Sequence, residues 1–210
     1  SSGSLTPTGL CLDGEVEDYW VDIYPAMDYG DAPNPYPTLS GSNGASHVVI
    51  GPILGTNKDS DGEGQPSFGA TGDDINGVPD DEDGVLFVTP LVTGSMAWVD
   101  IIVSGSVPAY LDAWIDFNLH GDWDDPGEQI FANQLVIAGT NNLQFTVPVD
   151  ALPFKTYARF RISSMGGLPP TGMADDGEVE DYFVDIEWGQ CTEVDHLNSR
   201  ANVWITLNPP

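Results

Sequence analysis

The residues most suited to chemistry in this sequence are the oxygen-bearing side chains of residues 116–128. Calcium loops place oxygen ligands at alternate positions, a glycine at the sharp turn and a carboxylate near the end. Counted from Asp116, oxygens stand at positions 1, 3 and 9, and Gly121 stands at position 6. The loop departs from the pattern at position 5, where His120 is a poor ligand for a hard ion, and in the placement of Glu128 at position 13 rather than 12. The predicted ligands are Asp116, Asn118, Asp122, Asp124 and Glu128, and a metal-free loop that only forms a turn is the alternative.

Two more loops carry dense carboxylates. Residues 57–64 alternate acidic and small side chains, and residues 72–84 contain two runs of adjacent acids. Acids this close repel one another unless something neutralises them, and the chain has only 5 Lys and Arg residues. Bound divalent cations would neutralise these carboxylates. The alternative is an acidic surface that is solvated and binds no ion. The predicted ligands here are Asp59, Asp61, Glu63, Asp73, Asp80 and Asp83.

The expected cofactor is structural calcium, as one ion or several. Zinc is disfavoured because the 3 histidines are scattered and form no cluster with cysteine. Catalytic motifs are missing as well: the sequence has no Gly-x-Ser-x-Gly elbow, no phosphate-binding GxxxxGK[ST] loop and no GxGxxG fingerprint. A carboxylate pair carries no information in a chain with 33 acids. We therefore predict that the protein is not an enzyme.

The formal net charge of −28 excludes whole classes of partner. Nucleic-acid binding needs lysine and arginine to neutralise phosphates, and anionic membrane surfaces need the same residues. No apolar run approaches the roughly 20 residues of a membrane-spanning helix. The sequence opens at Ser1 without a signal region, so we expect a secretion signal to have been removed and the protein to be extracellular or at the cell surface.

Two cysteines, Cys11 and Cys191, lie near opposite ends of the chain. They are too few for a disulfide scaffold and lack the CxxC spacing of metal or redox sites. In a secreted protein they are candidates for one disulfide, within a chain or between chains. Two unrelated thiols are the alternative.

The elements that must position these loops are short strands. Residues 96–104 alternate apolar and mixed side chains, residues 110–117, 143–147 and 157–162 are similar, and residues 46–54 and 85–88 are weaker candidates. This pattern predicts an all-β fold, a β-sandwich of jelly-roll or immunoglobulin-like type, with long acidic loops and minimal helix. Arg159 and Arg161 share one face of their strand. They can pair with Asp181 and Asp185 if the two strands are neighbours.

One further strand, which ends the body of the fold and contains Tyr182, Val184 and Ile186, occurs twice. Residues 7–23 align without gaps on residues 170–186, with 13 of 17 positions identical. Either residues 1–26 are the remnant of a preceding repeat, or the spare strand leaves its own subunit and fills an edge position in a neighbour. Inserted head to tail, such strands build a filament unless the ring closes. The candidate exchange residues are Val16, Tyr19, Val21 and Ile23, together with Val203, Ile205 and Leu207 of a third candidate strand at 201–207.

Several motifs together resemble one family. They are Asp28-Tyr-Gly-Asp-Ala-Pro33, Asp80-Asp-Glu-Asp-Gly-Val85, Ala113-Trp-Ile-Asp-Phe-Asn118, Tyr157-Ala-Arg-Phe-Arg161 and the doubled Gly-Glu-Val-Glu-Asp-Tyr. This combination resembles the GEVED domain. The resemblance implies a β-sandwich that is repeated in large secreted and cell-surface proteins of bacteria and has no established enzymatic activity. We assign residues 1–26 to the spare closing strand, 27–187 to the sandwich and 188–210 to a tail with a docking strand.

Two functions remain open at this level. The first is a calcium-stabilised structural or adhesive module that polymerises with itself through strand exchange, as a subunit of a surface filament. The second is a carbohydrate-binding or accessory module of a large secreted protein, with glycans or another cell surface as its partner. The second would need three of the 6 tryptophans on one flat exposed strip.

Overall fold

The computed structural model describes residues 8–9, 14–58, 60–72, 82–106 and 108–189. Within these ranges the chain forms twelve strands and a single turn of 3-10 helix at Ser40–Ser42. The strands are β1 (Met27–Tyr29), β2 (Ser46–Val48), β3 (Pro52–Leu54), β4 (Val85–Phe87), β5 (Leu91–Val92), β6 (Met96–Gly105), β7 (Ala109–Ile115), β8 (Gln129–Val136), β9 (Gly139–Thr146), β10 (Lys155–Ser163), β11 (Met173–Ala174) and β12 (Glu178–Glu187).

Two sheets face each other across one apolar core. The first has the strand order β5-β12-β10-β7-β8, and the second has β3-β6-β4 with β9 on the free side of β6. Alternate residues of the longest strands point inward and are fully buried, as in Val99, Ile101 and Val103 of β6 and Leu111, Ala113 and Ile115 of β7. The predicted all-β sandwich is confirmed. No helix in the described ranges has the length and apolarity that a membrane span requires.

A second buried layer covers the outer face of the five-stranded sheet. A small sheet of order β1-β2-β11 and the segment between β1 and β2 lie over β7, β10 and β12. Tyr36, Trp114, Trp123 and Tyr157 pack together there, and Arg159 and Arg161 are fully buried beneath them. The part of the outer face around Arg159 and Arg161 is therefore buried as well, although its side chains are polar and aromatic.

The observed strands differ from the predicted ones in two ways. The weak candidate at 46–54 is two strands, because Gly51 adopts a positive φ of 89° and turns the chain between β2 and β3. Strands β1, β5, β8 and β11 were not predicted, and the longest of them is β8. Only Phe131 and Val136 are buried along it, and a register irregularity near Ala113 breaks its alternation against β7. A β-bulge interrupts the alternation of buried and exposed side chains, so the two-residue period in the sequence does not identify this strand.

Candidate metal centre and closing strand

Asp116 holds the 116–128 loop in place. It follows directly on β7 and is fully buried. Its Oδ1 accepts hydrogen bonds from the N–H groups of Asn118 at 3.1 Å and Leu119 at 2.6 Å. Its Oδ2 accepts from the N–H of Gly121 at 3.0 Å and from the hydroxyl of Tyr36 at 2.6 Å. Both oxygens are thus engaged in folding the loop, as in an Asx turn extended by two residues.

The carboxylates that converge are Asp122, Asp125 and Glu128. One oxygen from each lies within 4.8 Å of the others. Calcium takes oxygen ligands at about 2.3–2.6 Å, so ligands of one ion stand at about this mutual separation. The loop therefore gathers three hard carboxylate oxygens around one point, with no histidine or cysteine among them.

Glu128 gives this cluster its unusual electrostatics. The side chain is 98% buried, since its relative exposure is 2%. Its Oε2 accepts the N–H of Asp125 at 3.2 Å, but its Oε1 has no hydrogen-bond partner among the described residues. Burial and the nearby charges of Asp116 and Asp125 raise the pKa of Glu128 to about 8. A buried carboxylate beside two others is the arrangement that a cation stabilises best.

The other predicted ligands of this loop have different roles. Asn118 donates from Nδ2 to Asp125 Oδ2 at 2.7 Å, and His120 Nδ1 lies 3.1 Å from the same oxygen. Asp124 is exposed and is not a member of the convergent group. Asp125, which the alternating pattern passed over, is the neighbouring aspartate that lies in the group.

The acids of the second region mainly tie loops together. Asp83 accepts hydrogen bonds from Thr56 N–H at 2.8 Å, from the Thr56 hydroxyl at 2.6 Å and from Asn57 Nδ2 at 3.1 Å. Glu63 accepts the N–H and hydroxyl of Ser40, both at 2.6 Å, and these bonds lower its pKa. Asp61 accepts Gln65 Nε2 at 2.9 Å. Asp59, Asp73 and Asp80 lie outside the described residues.

Strand β12 uses its acids to fasten the loops to the sandwich. Glu178 Oε2 accepts the N–H of Leu54 at 2.5 Å, and Glu180 Oε1 accepts the N–H of Gly84 at 2.9 Å. Both side chains are buried, and burial together with the charge of Glu180 raises the pKa of Glu178. The Glu-x-Glu spacing of the motif thus sends two carboxylates to the same side of one strand, where each captures a loop amide.

Asp181 makes the strongest of these contacts. It lies directly opposite Arg159 in the β10–β12 ladder, and the two side chains form a bidentate pair at 2.7 Å and 2.7 Å. Asp181 Oδ2 also accepts the N–H groups of Asp31 and Ala32, each at 2.9 Å. The expected pairing across neighbouring strands is present here. Arg161 instead donates to His47 Nε2 and to backbone carbonyls of residues 169, 171 and 172.

Residues 110–185 match the family model of the GEVED domain. This segment of the chain therefore resembles a GEVED domain. The match runs from β7 to the end of β12 and so takes in the acidic loop, both buried arginines and the closing Glu-Val-Glu-Asp strand. No curated protein matches the chain. The resemblance predicted from the motifs is confirmed for this segment.

The first copy of the GEVED strand lies outside this domain. Val16, Tyr19, Val21 and Ile23 are 84%, 75%, 72% and 90% exposed, and residues 14–26 form no strand pairing in the described structure. The remaining terminal predictions, Cys11, Cys191, Val203, Ile205 and Leu207, lie outside the described residues. Among the tryptophans, Trp114 and Trp123 are buried and are not available for stacking on a sugar.

Substituting Gly121 by alanine is expected to destabilise the loop much more than substituting Gly127. Both residues have positive φ, 85° and 98°, so both variants suffer the same kind of backbone strain of about 1 kcal/mol. Only at Gly121 would the new Cβ collide with another residue, at 2.3 Å from Pro35 Cγ. Urea unfolding of the two variants tests this. Equal losses of stability would show that the loop does not pack against Pro35.

Proposed function

We propose that this protein is a non-catalytic extracellular structural module, stabilised by calcium, that polymerises through its first GEVED strand as a subunit of a surface filament. The single observation that carries the proposal is the exposure of residues 16–24. Six large apolar side chains there, Val16, Tyr19, Trp20, Val21, Ile23 and Tyr24, are between 72% and 94% exposed.

Such a segment is costly to leave in water. Apolar surface gains about 25 cal/mol per Å² when it is covered, and a fully buried aromatic side chain removes about 150–250 Å². The segment also has the sequence of a strand that this fold already uses, since residues 15–23 repeat residues 178–186 with one change, Trp20 for Phe183. A strand that suits the sandwich but pairs with none of its own described strands is suited to another copy.

The calcium part of the proposal rests on the cluster of Asp122, Asp125 and Glu128. Bound there, an ion would interact with three adjacent carboxylates, including Glu128, whose Oε1 has no hydrogen-bond partner among the described residues, and its binding energy would add to the stability of the fold. The role is structural because the cluster lies beside the loop turn and its one buried oxygen faces no catalytic partner among the described residues. The extracellular location is supported by the GEVED domain, by the excess of acids and by the extracellular supply of calcium.

Assembly of the whole chain tests the proposal directly. We expect the purified protein in millimolar calcium to form filaments or long oligomers by negative-stain microscopy and light scattering. The double substitution Val21→Asp and Ile23→Asp is expected to leave monomers. The matched control is Val149→Asp, at a position that is 83% exposed but distant in sequence from the spare strand, and it should assemble like the wild type. Monodisperse wild-type protein, both with calcium and with EDTA, would refute the polymer.

A further inference from the structure

A groove of about 470 Å³ opens at one side of the sandwich. One wall is the chain from Phe87 to Leu91, which leads from β4 into β5, and the other is Phe183 to Asp185 and Glu187 of β12. Val184 and Leu91 belong to the apolar core, so the groove is a place where that core reaches the surface. It lies where the edge of one sheet faces the edge of the other.

The groove runs along the incompletely paired edge of β12. On one side β12 pairs with β10 without interruption from Glu178 to Asp185. On the other side the described residues provide a partner strand only at the end of β12, where Ile186 and Glu187 pair with the two residues of β5. The N–H and C=O groups of the odd-numbered residues of β12 point to that second side. Two hydrogen bonds show this: Val179 N–H donates to Asp28 Oδ2, and Glu187 C=O accepts from Thr93 N–H. Phe183 belongs to the same set.

We propose that this groove is the acceptor site for the spare segment of a second copy, of which residues 20–24 add as a strand beside β12. The inference rests on the proposed function and gives it a location. Its first support is that donor and acceptor are left uncovered in the same chain: the segment is exposed along its length while the groove stands open. The chain's own segment does not fill its own groove, and a neighbour's segment satisfies both surfaces at once.

The area that becomes covered is adequate for a stable contact. Tyr19, Trp20 and Tyr24 are at least 75% exposed, and covering three aromatic side chains removes about 450–750 Å² from water. Standard protein interfaces bury about 800 Å² on each partner. Covering Trp20, Val21, Ile23 and Tyr24 beside β12, and Tyr19 next to β5, accounts for most of that area.

Side-chain alternation favours an antiparallel orientation. A register that sets Val21 opposite Val184 and Ile23 opposite Tyr182 sends the apolar side chains of both strands toward the same, inner face. Pairing is confined to residues 20–24, because Ile186 and Glu187 are already paired with β5. This register also keeps Glu15 to Asp18 of the donor away from the Glu178 to Asp181 stretch of the acceptor. A parallel strand in the same place would lay the two acidic stretches side by side. Because donor and acceptor are different surfaces, repetition of the contact extends a chain of subunits.

Binding of a labelled peptide tests the site apart from assembly. The peptide has the sequence of residues 14–26, and the receptor is the full chain with Val21→Asp and Ile23→Asp, which keeps its groove. We expect saturable binding by fluorescence anisotropy. Adding Val88→Glu, at a half-exposed position of the groove wall, should weaken binding by about tenfold or more, because the carboxylate would be covered by the peptide. Ile137→Glu, similarly exposed but on the turn from β8 to β9, is the control and should leave binding unchanged.

Mixing two variants separates this inference from the proposed function. A chain with Val88→Glu can donate but not accept, and the chain with Val21→Asp and Ile23→Asp can accept but not donate. Each alone should stay monomeric, and an equimolar mixture should give dimers that grow no further. If wild-type filaments form and Val88→Glu leaves them intact, the acceptor site is wrong and the polymer stands. If neither filaments nor peptide binding appear, both are wrong.

Discussion

Asp181→Ala is expected to lower the free energy of unfolding by about 3–5 kcal/mol, the range measured when one partner of a buried ion pair is removed. Arg159 and Asp181 are both fully buried, so the variant leaves a guanidinium in the interior without its counter-charge. It also deprives the N–H groups of Asp31 and Ala32 of their acceptor. Chemical denaturation of the metal-free protein measures the loss.

A matched control lies four residues further along the same two strands. Asp185 pairs with Lys155 at 3.1 Å, but these side chains are 58% and 59% exposed. Solvent screening limits the contribution of such a pair to at most about 1 kcal/mol, so Asp185→Ala should lower the free energy of unfolding by no more than this. Equal losses for the two variants would show that Asp181 acts as an ordinary surface charge and that the motif does not fasten the loops.

Calcium is expected to stabilise the protein, and Glu128→Gln is expected to abolish that response. A ligand that binds only the folded state contributes about 2.7 kcal/mol when its concentration is 100 times its Kd. Glutamine keeps the shape of the side chain but removes the charge that an ion needs, and Asp125→Asn should act in the same direction. Thermal unfolding with EDTA and with increasing calcium measures the effect, and isothermal titration calorimetry gives the affinity.

Asp124→Asn is the control for this centre because Asp124 is adjacent to Asp125 yet lies outside the convergent group. It should retain the calcium response. Loss of the response in Asp124→Asn, with Asp125→Asn unaffected, would show that the ion uses the alternating ligands of the sequence pattern and not the cluster.

Without metal, the same site predicts a pH dependence. The pKa of Glu128 is raised from 4.5 to about 8, so the folded protein holds this proton more tightly than the unfolded chain does. The stabilisation is complete below about pH 4.5 and is lost as the pH rises through about 8. Glu128→Gln should flatten this decline in EDTA. Unfolding curves across that window, for wild type and variant, measure the difference.

Much of the architecture was predictable from sequence because it depends on local pattern. Alternation of apolar residues in 96–104 and 157–162 reflects the two-residue period of a strand with one buried face. The repeated Gly-Glu-Val-Glu-Asp motif can be recognised in any context, and the domain match agrees with it. The pairing of Arg159 with Asp181 followed from side-chain parity once their strands were assumed to be neighbours.

The roles of individual acids were not predictable in the same way. Asp116 has the position of a first calcium ligand, but its oxygens are engaged by three loop amides and Tyr36, a residue 80 positions away in the sequence. Glu63 and Asp83 bind serine and threonine groups that the fold brings to them from more than twenty positions away. Carboxylates look alike in a sequence, and their use depends on which donors reach them.

By itself the sequence determined an acidic, all-β chain with no recognisable catalytic motif, a resemblance to the GEVED domain and a spare copy of its last strand, since these follow from composition, period, motifs and repetition. The tertiary structure alone decided that Asp125 joins Asp122 and Glu128, that both arginines are buried, and that a groove lies open beside β12. The physical reason is the same in each case. Burial and convergence are produced by contacts between distant segments, and a linear pattern does not contain the distances between them.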